Sequence, residues 1–443
     1  MHCRIIGIVY LILGGFLALY AKEPPINTLT VEQETYRYTL SGDWEAVIKA
    51  GKTALEKGID FYNLRYRLGI AYYYLGNYHA AAHHFYKAYQ INNSDPLLKE
   101  YLYWSYRYTG CDADARILAD GFSEELKRKA GVLDYLQGDY LSLSFNTAFP
   151  ADKSFTDSYI NDTDLAVNGI QLLSKTLTYA DISVYKILSP RLSAYGNFAR
   201  LKKISYLYAQ ENGVAITKPQ YETNVNQLYL SGTYHVARGT DVIIGSHFIN
   251  ILYQRDRFVS EEGGGHLVTD DISDNDRLVF MSAFHRFPYV TTGITFLFSN
   301  LNQKDQVQGD FQLTWYPLGN LNLYGGFILT YHHQNPRENT VITDLFLGRK
   351  LLPRLWAEGM YSSGKLHNAS RHQGYVVYNG MDVITQRIGG RCIIPVSNNL
   401  TIYLNYAYQN HESSFYPENT RLPETNQISY KSNSITGALQ WYF

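Results

Sequence analysis

From about Leu133 to Phe443, apolar side chains fall on every second position, and the segments that do so are joined by connections that alternate in length. VQGDFQLTWY (307–316) shows the period: Val307, Gly309, Phe311, Leu313 and Trp315 face one way, and Gln308, Asp310, Gln312 and Thr314 the other. LNLYGGFILTY (321–331) and TIYLNYAY (401–408) behave alike. A period of two is that of a strand with unlike faces. Fourteen such segments can be counted, most long enough for the ~9–11 residues of a tilted membrane strand. LSPR (188–191), VARGTD (236–241), the turn at Pro288, YPLGN (316–320), LLPR (351–354) and VSNN (396–399) are short. Between them lie the long polar segments 148–173, 209–224, 258–274, 334–339, 367–383 and 412–427, and only the connection at 303–305 breaks the rule by being short. Short turns on one side and long loops on the other are expected of a transmembrane barrel, whereas a soluble sandwich has no reason to alternate so regularly. The expectation is an antiparallel barrel over 133–443 of about fourteen strands, with twelve or sixteen as alternatives.

The last nine residues, ITGALQWYF, end inside such a segment. A barrel in lipid must pair its first strand with its last, because an open edge there would leave backbone groups without partners. Ile435, Gly437, Leu439, Trp441 and Phe443 share one face and resemble the C-terminal strand that bacterial outer-membrane barrels present to their assembly machinery. The polar face assigns Gln308, Asp310, Gln312, Thr314, Asn322, Asn405, Thr436 and Gln440 to the lumen. An even strand count then puts both barrel ends, and the domain before them, in the periplasm.

Composition agrees. The 41 Tyr residues suit a boundary between oil and water, and a net charge of −1 removes any broad electrostatic case for nucleic acid. Arg4, the apolar run Ile5–Leu19 and Ala21 read as a signal peptide over 1–21. No later apolar run reaches the ~20 residues of a spanning helix. Cys111 and Cys392 fall in different domains, so neither a disulfide framework nor a Cys zinc site is expected.

The first third repeats with a different period. Tyr38, Tyr72 and Tyr106 are spaced by 34, as are Gly42, Gly76 and Gly110, and Val47, Ala81 and Ala115. Leu68, Gly69, Tyr72, Gly76, Tyr78, Ala81, Phe85 and Ala88 of the middle copy resemble the tetratricopeptide (TPR) pattern, with Arg65 where the usual Trp would stand and Pro96 a few residues late. Three helix–turn–helix repeats are expected over 29–130, with Gly at the turns and small Ala where helices approach. Such stacks dock proteins. Lys127, Arg128 and Lys129 read as a solvated linker, and His83 and His84, adjacent on a helix, as packing or surface residues.

No residue carries a recognisable chemistry. G-x-S-x-G and H-E-x-x-H are missing. His332, His333, His367, His372 and His411 lie near expected loops, and TDDISDND (269–276) lacks the EF-hand spacing and reads as a solvated acidic loop. EGGGH (262–266) reads as a loop tip. No catalytic residue, metal or cofactor is expected. A barrel enzyme would need a Ser/His or carboxylate pair converging at the outer rim.

A periplasmic TPR stack joined to an outer-membrane barrel resembles the YaiO-type outer-membrane barrel proteins and, more distantly, the exopolysaccharide-export porins. The residues behind the likeness are Leu68, Gly69, Tyr72, Gly76, Ala81 and Ala88, with Trp441 and Phe443. The resemblance implies a transport or export component, polysaccharide or glycan related, whose partners are outer-membrane lipid, the assembly machinery and a periplasmic protein held by the repeats. A plugged barrel that only anchors a TPR scaffold is the alternative.

Overall fold

The computed structural model describes residues 26–132, 138–152, 167–211, 213–261, 264–335, 338–417 and 424–443. The expected signal peptide lies outside the described residues, as do 133–137 of the expected first strand. Contacts divide the chain into two compact units, Met1–Leu75 with Ala81–Tyr101, and Gly76–Ala80 with Leu102–Phe443.

Seven helices come first: α1 (Thr28–Ser41), α2 (Trp44–Glu56), α3 (Tyr62–Tyr74), α4 (Tyr78–Ile91), α5 (Pro96–Tyr108), α6 (Asp112–Asp120) and α7 (Glu124–Lys129). The starts of α1, α3 and α5 are 34 residues apart, and so are those of α2, α4 and α6. Asn27 and Thr30 cap α1 reciprocally, and Asp43 accepts from the Ala46 N–H at 3.1 Å to start α2. Gly42, Gly76 and Gly110 stand in the left-handed region with φ of 70°, 73° and 71°. A side chain at any of the three would be strained, which explains their shared spacing. In the first unit Leu64, Leu68, Phe85, Ala88 and Leu98 are fully buried, and a Cβ on Gly69 would sit 2.4 Å from Phe85. Lys127, Arg128 and Lys129 belong to α7, capped by Ser123, rather than to a linker.

The remaining chain forms a closed antiparallel barrel of fourteen strands. These are β1 (Tyr140–Pro150), β2 (Gly169–Ser189), β3 (Leu192–Glu211), β4 (Val214–Ala237), β5 (Thr240–Glu261), β6 (Gly264–Arg286), β7 (Val290–Ser299), β8 (Gln306–Trp315), β9 (Leu323–Gln334), β10 (Glu338–Leu352), β11 (Leu355–Leu366), β14 (Val383–Pro395), β15 (Leu400–Pro417) and β16 (Thr425–Tyr442). A two-stranded ribbon, β12 (Ala369–Arg371) and β13 (Val376–Tyr378), is separate from the barrel sheet. β16 closes the barrel on β1, with Leu143 opposite Leu439 and Phe145 opposite Gly437. All six expected short turns are turns.

The long connections differ from expectation. Segments 209–224 and 258–274 are mostly strand, so that β4, β5 and β6 reach 24, 22 and 23 residues. The alternation of apolar side chains fades there while the backbone ladder continues. The Asp-rich 269–276 is therefore strand, not loop, and so are Gly264–His266 of the expected loop tip. Of segment 412–427, 412–417 form the end of β15 and 425–427 the start of β16, while 418–423 lie outside the described residues.

Outward-facing side chains form a band around the barrel. Leu143, Ile182, Phe198, Leu228 and Phe248 stand opposite one another in register from β1 to β5, and all are exposed. Phe296, Leu345, Ile388 and Leu404 carry exposed apolar surface round the other side. Tyr234, Phe287, Tyr289, Trp315, Trp441 and Phe443 add exposed aromatics at the short-turn end. So large an apolar surface is stable only in apolar surroundings.

Candidate functional site

The segment between β11 and β14, expected as an outer loop over 367–383, folds into the barrel instead. β11 and β14 are neighbours in the barrel, and β4 and β5 lie halfway round it. The tip of the ribbon touches those opposite strands: His247 Nδ1 donates to the Gly374 carbonyl at 2.8 Å, and the Tyr229 hydroxyl to that of Gln373 at 3.3 Å. Asn197 Nδ2 reaches the Tyr375 hydroxyl at 3.2 Å, and the Tyr375 ring packs edge-on to Tyr195 and Tyr229. The ribbon is thus a bar across the lumen. Its tip turns through three consecutive left-handed residues, His372, Gln373 and Gly374. Only the last is glycine, and a Cβ there would lie 2.4 Å from Leu278.

The stems are held to the wall. Gln308 Nε2 donates to the Ser370 carbonyl at 2.8 Å and its Oε1 accepts from the Ser370 N–H at 3.1 Å. Asn368 Nδ2 donates to Gln334 at 2.7 Å, while its carbonyl accepts from His332 Nε2 at 2.9 Å. Arg371 pairs with Asp344 and Thr330. The odd short connection near 303–305 also turns inward: Leu301 is fully buried, and Asn302 Nδ2 donates to Asn368 at 2.6 Å and to the Asn379 carbonyl at 2.8 Å.

Asp382 anchors the return to β14. Its Oδ1 accepts from Lys203 Nζ at 2.7 Å. Its Oδ2 accepts from the Tyr430 hydroxyl at 2.7 Å, Ser174 Oγ at 2.8 Å and His411 Nδ1 at 3.1 Å. The other nitrogen of His411, Nε2, lies 2.7 Å from Ser432 Oγ, and the ring stacks on Tyr430.

Beside the bar remains a cavity of about 1110 Å³, bounded by β1–β5 and β14–β16. Ser142, Ser144, Asn146, Asp181, Lys203, Arg387, Arg391 and Gln409 line it, with Tyr179, Tyr195, Tyr375, Tyr378 and Tyr403. Asn405, Thr436 and Gln440 of the expected lumen set line it too. Gln308, Asp310 and Thr314 face inward on the side the bar occupies; Asp310 accepts from Thr330 Oγ1 at 2.8 Å and Gln308 Nε2 at 2.9 Å, and Gln312 Nε2 reaches Thr314 at 3.4 Å. Asn322 is different: it lies exposed in the turn before β9. Ile435, Leu439, Trp441 and Phe443 face outward and are exposed. Of the repeat residues, Leu68, Tyr72, Ala81, Phe85, Ala88, Tyr106 and Ala115 are buried. His84 is buried as well, stacked on Tyr72 with Nδ1 3.1 Å from Arg65 Nη1; burial pushes its pKa down to about 3. Among the described residues no group of His, Cys, Asp and Glu is placed to hold a metal ion.

A second cavity, of about 840 Å³, opens at the short-turn end. All its lining residues belong to the second unit, among them Arg116, Arg191, His235, Asp241, Arg286 and Tyr140, which also lines the larger cavity. His235 is held by two carboxylates, Asp241 at Nδ1 (2.7 Å) and Asp114 of α6 at Nε2 (3.1 Å), and Asp241 also pairs with Arg286 at 2.6 Å.

No family model matches the chain, and no curated protein does. Solved structures that resemble it include the Pseudomonas putida toluene transporter TodX, at 6% identity and a TM-score of 0.45, over 69% of this chain and 90% of that one. A Pseudomonas aeruginosa FadL homologue follows at 9% identity and a TM-score of 0.40, over 68% and 90%. A bacterial polysaccharide outer-membrane secretin shows 10% identity and a TM-score of 0.35, over 70% and 100%. Likenesses this distant transfer neither substrate nor mechanism to this chain.

Proposed function

We propose that this chain is a bacterial outer-membrane barrel that passes a hydrated solute through a lumen narrowed by the β12–β13 bar, and that its helical repeats are a TPR stack docking a periplasmic protein. The apolar band and the aromatics at the short-turn end support the membrane. The 34-residue spacing of helix starts and of left-handed glycines supports the TPR reading and, with the barrel, the likeness to YaiO-type proteins. The observation that carries the transport reading is the cavity beside the bar. It is lined by hydroxyls, amides and tyrosines together with charges of both signs, among them Lys203, Arg387, Arg391, Asp181 and Asp382, a mixture that can hydrogen-bond a hydrated polymer such as a glycan while ring faces cover its apolar patches.

Single-channel recording of the purified full-length protein in a planar bilayer tests this. A small, steady conductance that falls when maltooligosaccharides are added is expected. Silence from protein shown to be folded by its heat-modifiable migration would overturn transport. The many bonds that pin the bar to both walls favour, in that case, a closed barrel serving as anchor for the repeats.

A further inference from the structure

Asp382, His411 and Ser432 come from three different elements, the end of the inner segment, β15 and β16, and meet in one chain of hydrogen bonds. The order is that of a nucleophilic triad: carboxylate to Nδ1, Nε2 to hydroxyl. Asp382 is tied by Lys203, Tyr430 and Ser174, all donors, so it is an acceptor towards His411. That assigns the proton of His411 to Nδ1 and leaves the Nε2 lone pair facing the Ser432 O–H. Stacking on Tyr430 fixes the plane of the ring. All three residues line the larger cavity, so the hydroxyl is reached from the lumen.

A fourth part lies in the same register row. Ser432 stands opposite Gln409, and Gln409 opposite Arg387, across β16, β15 and β14. Both neighbours line the cavity. Nε of Arg387 is buried and has no hydrogen-bond partner. An unsatisfied charged donor is costly unless something arrives to accept from it. An oxyanion formed at a carbonyl attacked by Ser432 is such an acceptor.

We propose that Ser432, His411 and Asp382 form a serine esterase site in the lumen wall, acting on small acyl esters carried by the hydrated solute in the cavity. Ser432 Oγ attacks the ester carbonyl carbon while His411 Nε2 takes its proton, and Arg387 faces the oxyanion; Gln409, whose Oε1 lies 3.5 Å from Ser432 Oγ, only accepts and gives the oxyanion no donor. The C–O bond to the alcohol breaks, and the alcohol leaves with the proton from His411. Water then attacks the acyl-Ser432 with His411 again as base, releasing the carboxylic acid and restoring the hydroxyl. Asp382 is the positioning residue. The site lies towards the long-connection end of β15 and β16, and it departs from the expectation of no catalytic residue. Sequence spacing gives no hint of it, because the three positions are 29 and 21 residues apart.

The test uses folded full-length protein in detergent, treated with a fluorophosphonate probe and, separately, assayed for p-nitrophenyl acetate hydrolysis. Expected is covalent labelling at Ser432, found by peptide mapping, and hydrolysis that Ser432→Ala abolishes and His411→Asn lowers by about a hundredfold or more. Arg387→Gln should lower kcat with little change in KM, which a merely structural role would not do. The Ser432→Cys variant, treated with a small methanethiosulfonate, reads access independently of chemistry. Modification of that thiol with no labelling of the unaltered protein overturns the proposal, since the hydroxyl is then reachable but not activated. No modification overturns it too, since no ester could arrive. Labelling of unaltered protein needs no variant to fold, and conductance is read separately, so the transport reading can fail without this one.

Discussion

Replacing Ala369–Tyr378 by Gly-Ser-Gly should open the barrel. With fourteen strands, a spacing of ~4.8 Å and a tilt of ~40°, the backbone cylinder has a radius of about 14 Å. Side chains on the inner face take about 5 Å all round, leaving a clear width of about 18 Å and an area of about 250 Å². A two-stranded ribbon about 10 Å thick laid across that width covers about 180 Å². The open area should therefore rise about threefold, and conductance in 1 M KCl with it. Leu366 already pairs with Ile384, so the short link rejoins two strands that are in register. The assay is paired single-channel recording of the two proteins, each checked for heat-modifiable migration. An unchanged conductance would refute the reasoning, because the resistance would then lie elsewhere, with the short-turn end the next place to look.

Gly69→Ala gains about 1 kcal/mol of helix propensity but sets a methyl 2.4 Å from the buried Phe85 ring, so a net loss of about 2 kcal/mol is expected, read as faster hydrogen exchange in α3 and α4. Burial holds the His84 pKa near 3, below the unfolded value of about 6.5. The unfolded chain therefore binds the extra proton first, and stability falls as pH drops below 6.5, by about 2 kcal/mol at pH 5. His84→Phe should flatten that slope in urea titrations followed by Trp fluorescence. Phe443→Asp puts a charge on an exposed outward position at the closing strand, and the yield of heat-modifiable barrel in cells should fall while total synthesis is unchanged.

What the sequence made legible was whatever depends on one element at a time. Phe311 and Trp315 against Gln308 and Thr314 report two environments, lipid and lumen, along one strand. The turn glycines report a backbone angle that a side chain would strain. The signal fails where the pairing shifts register. Beyond the apolar band β4 carries the buried Ile216 and Tyr221 five residues apart, out of phase because the ladder shifts register at Ser205–Leu207, so period two is lost although the pairing runs on. The bar was missed for another reason: its partners, His247 and Tyr229, are more than a hundred residues away. One clue was present in Tyr375, Val376 and Val377, an apolar run in what otherwise reads as an exposed loop. Asp382, His411 and Ser432 left no clue, since a triad is defined by geometry and not by spacing.

The unequal heights of β6 and β7 expose something more. Their pairing stops at Leu278 opposite Ser299, yet β6 continues back to Gly264 alongside β5. That stretch is a sheet edge standing clear of the barrel, the kind of surface that recruits a strand from another molecule. The carboxylates near it do not shield it: Asp276 is buried, accepting from the Asn302 N–H and Asn379 Nδ2, and Asp274 lines the cavity. The border is left open on the β7 side, so the backbone amides of Gly264–Ser273 that point that way should exchange with solvent sooner than those of the same strand below Leu278.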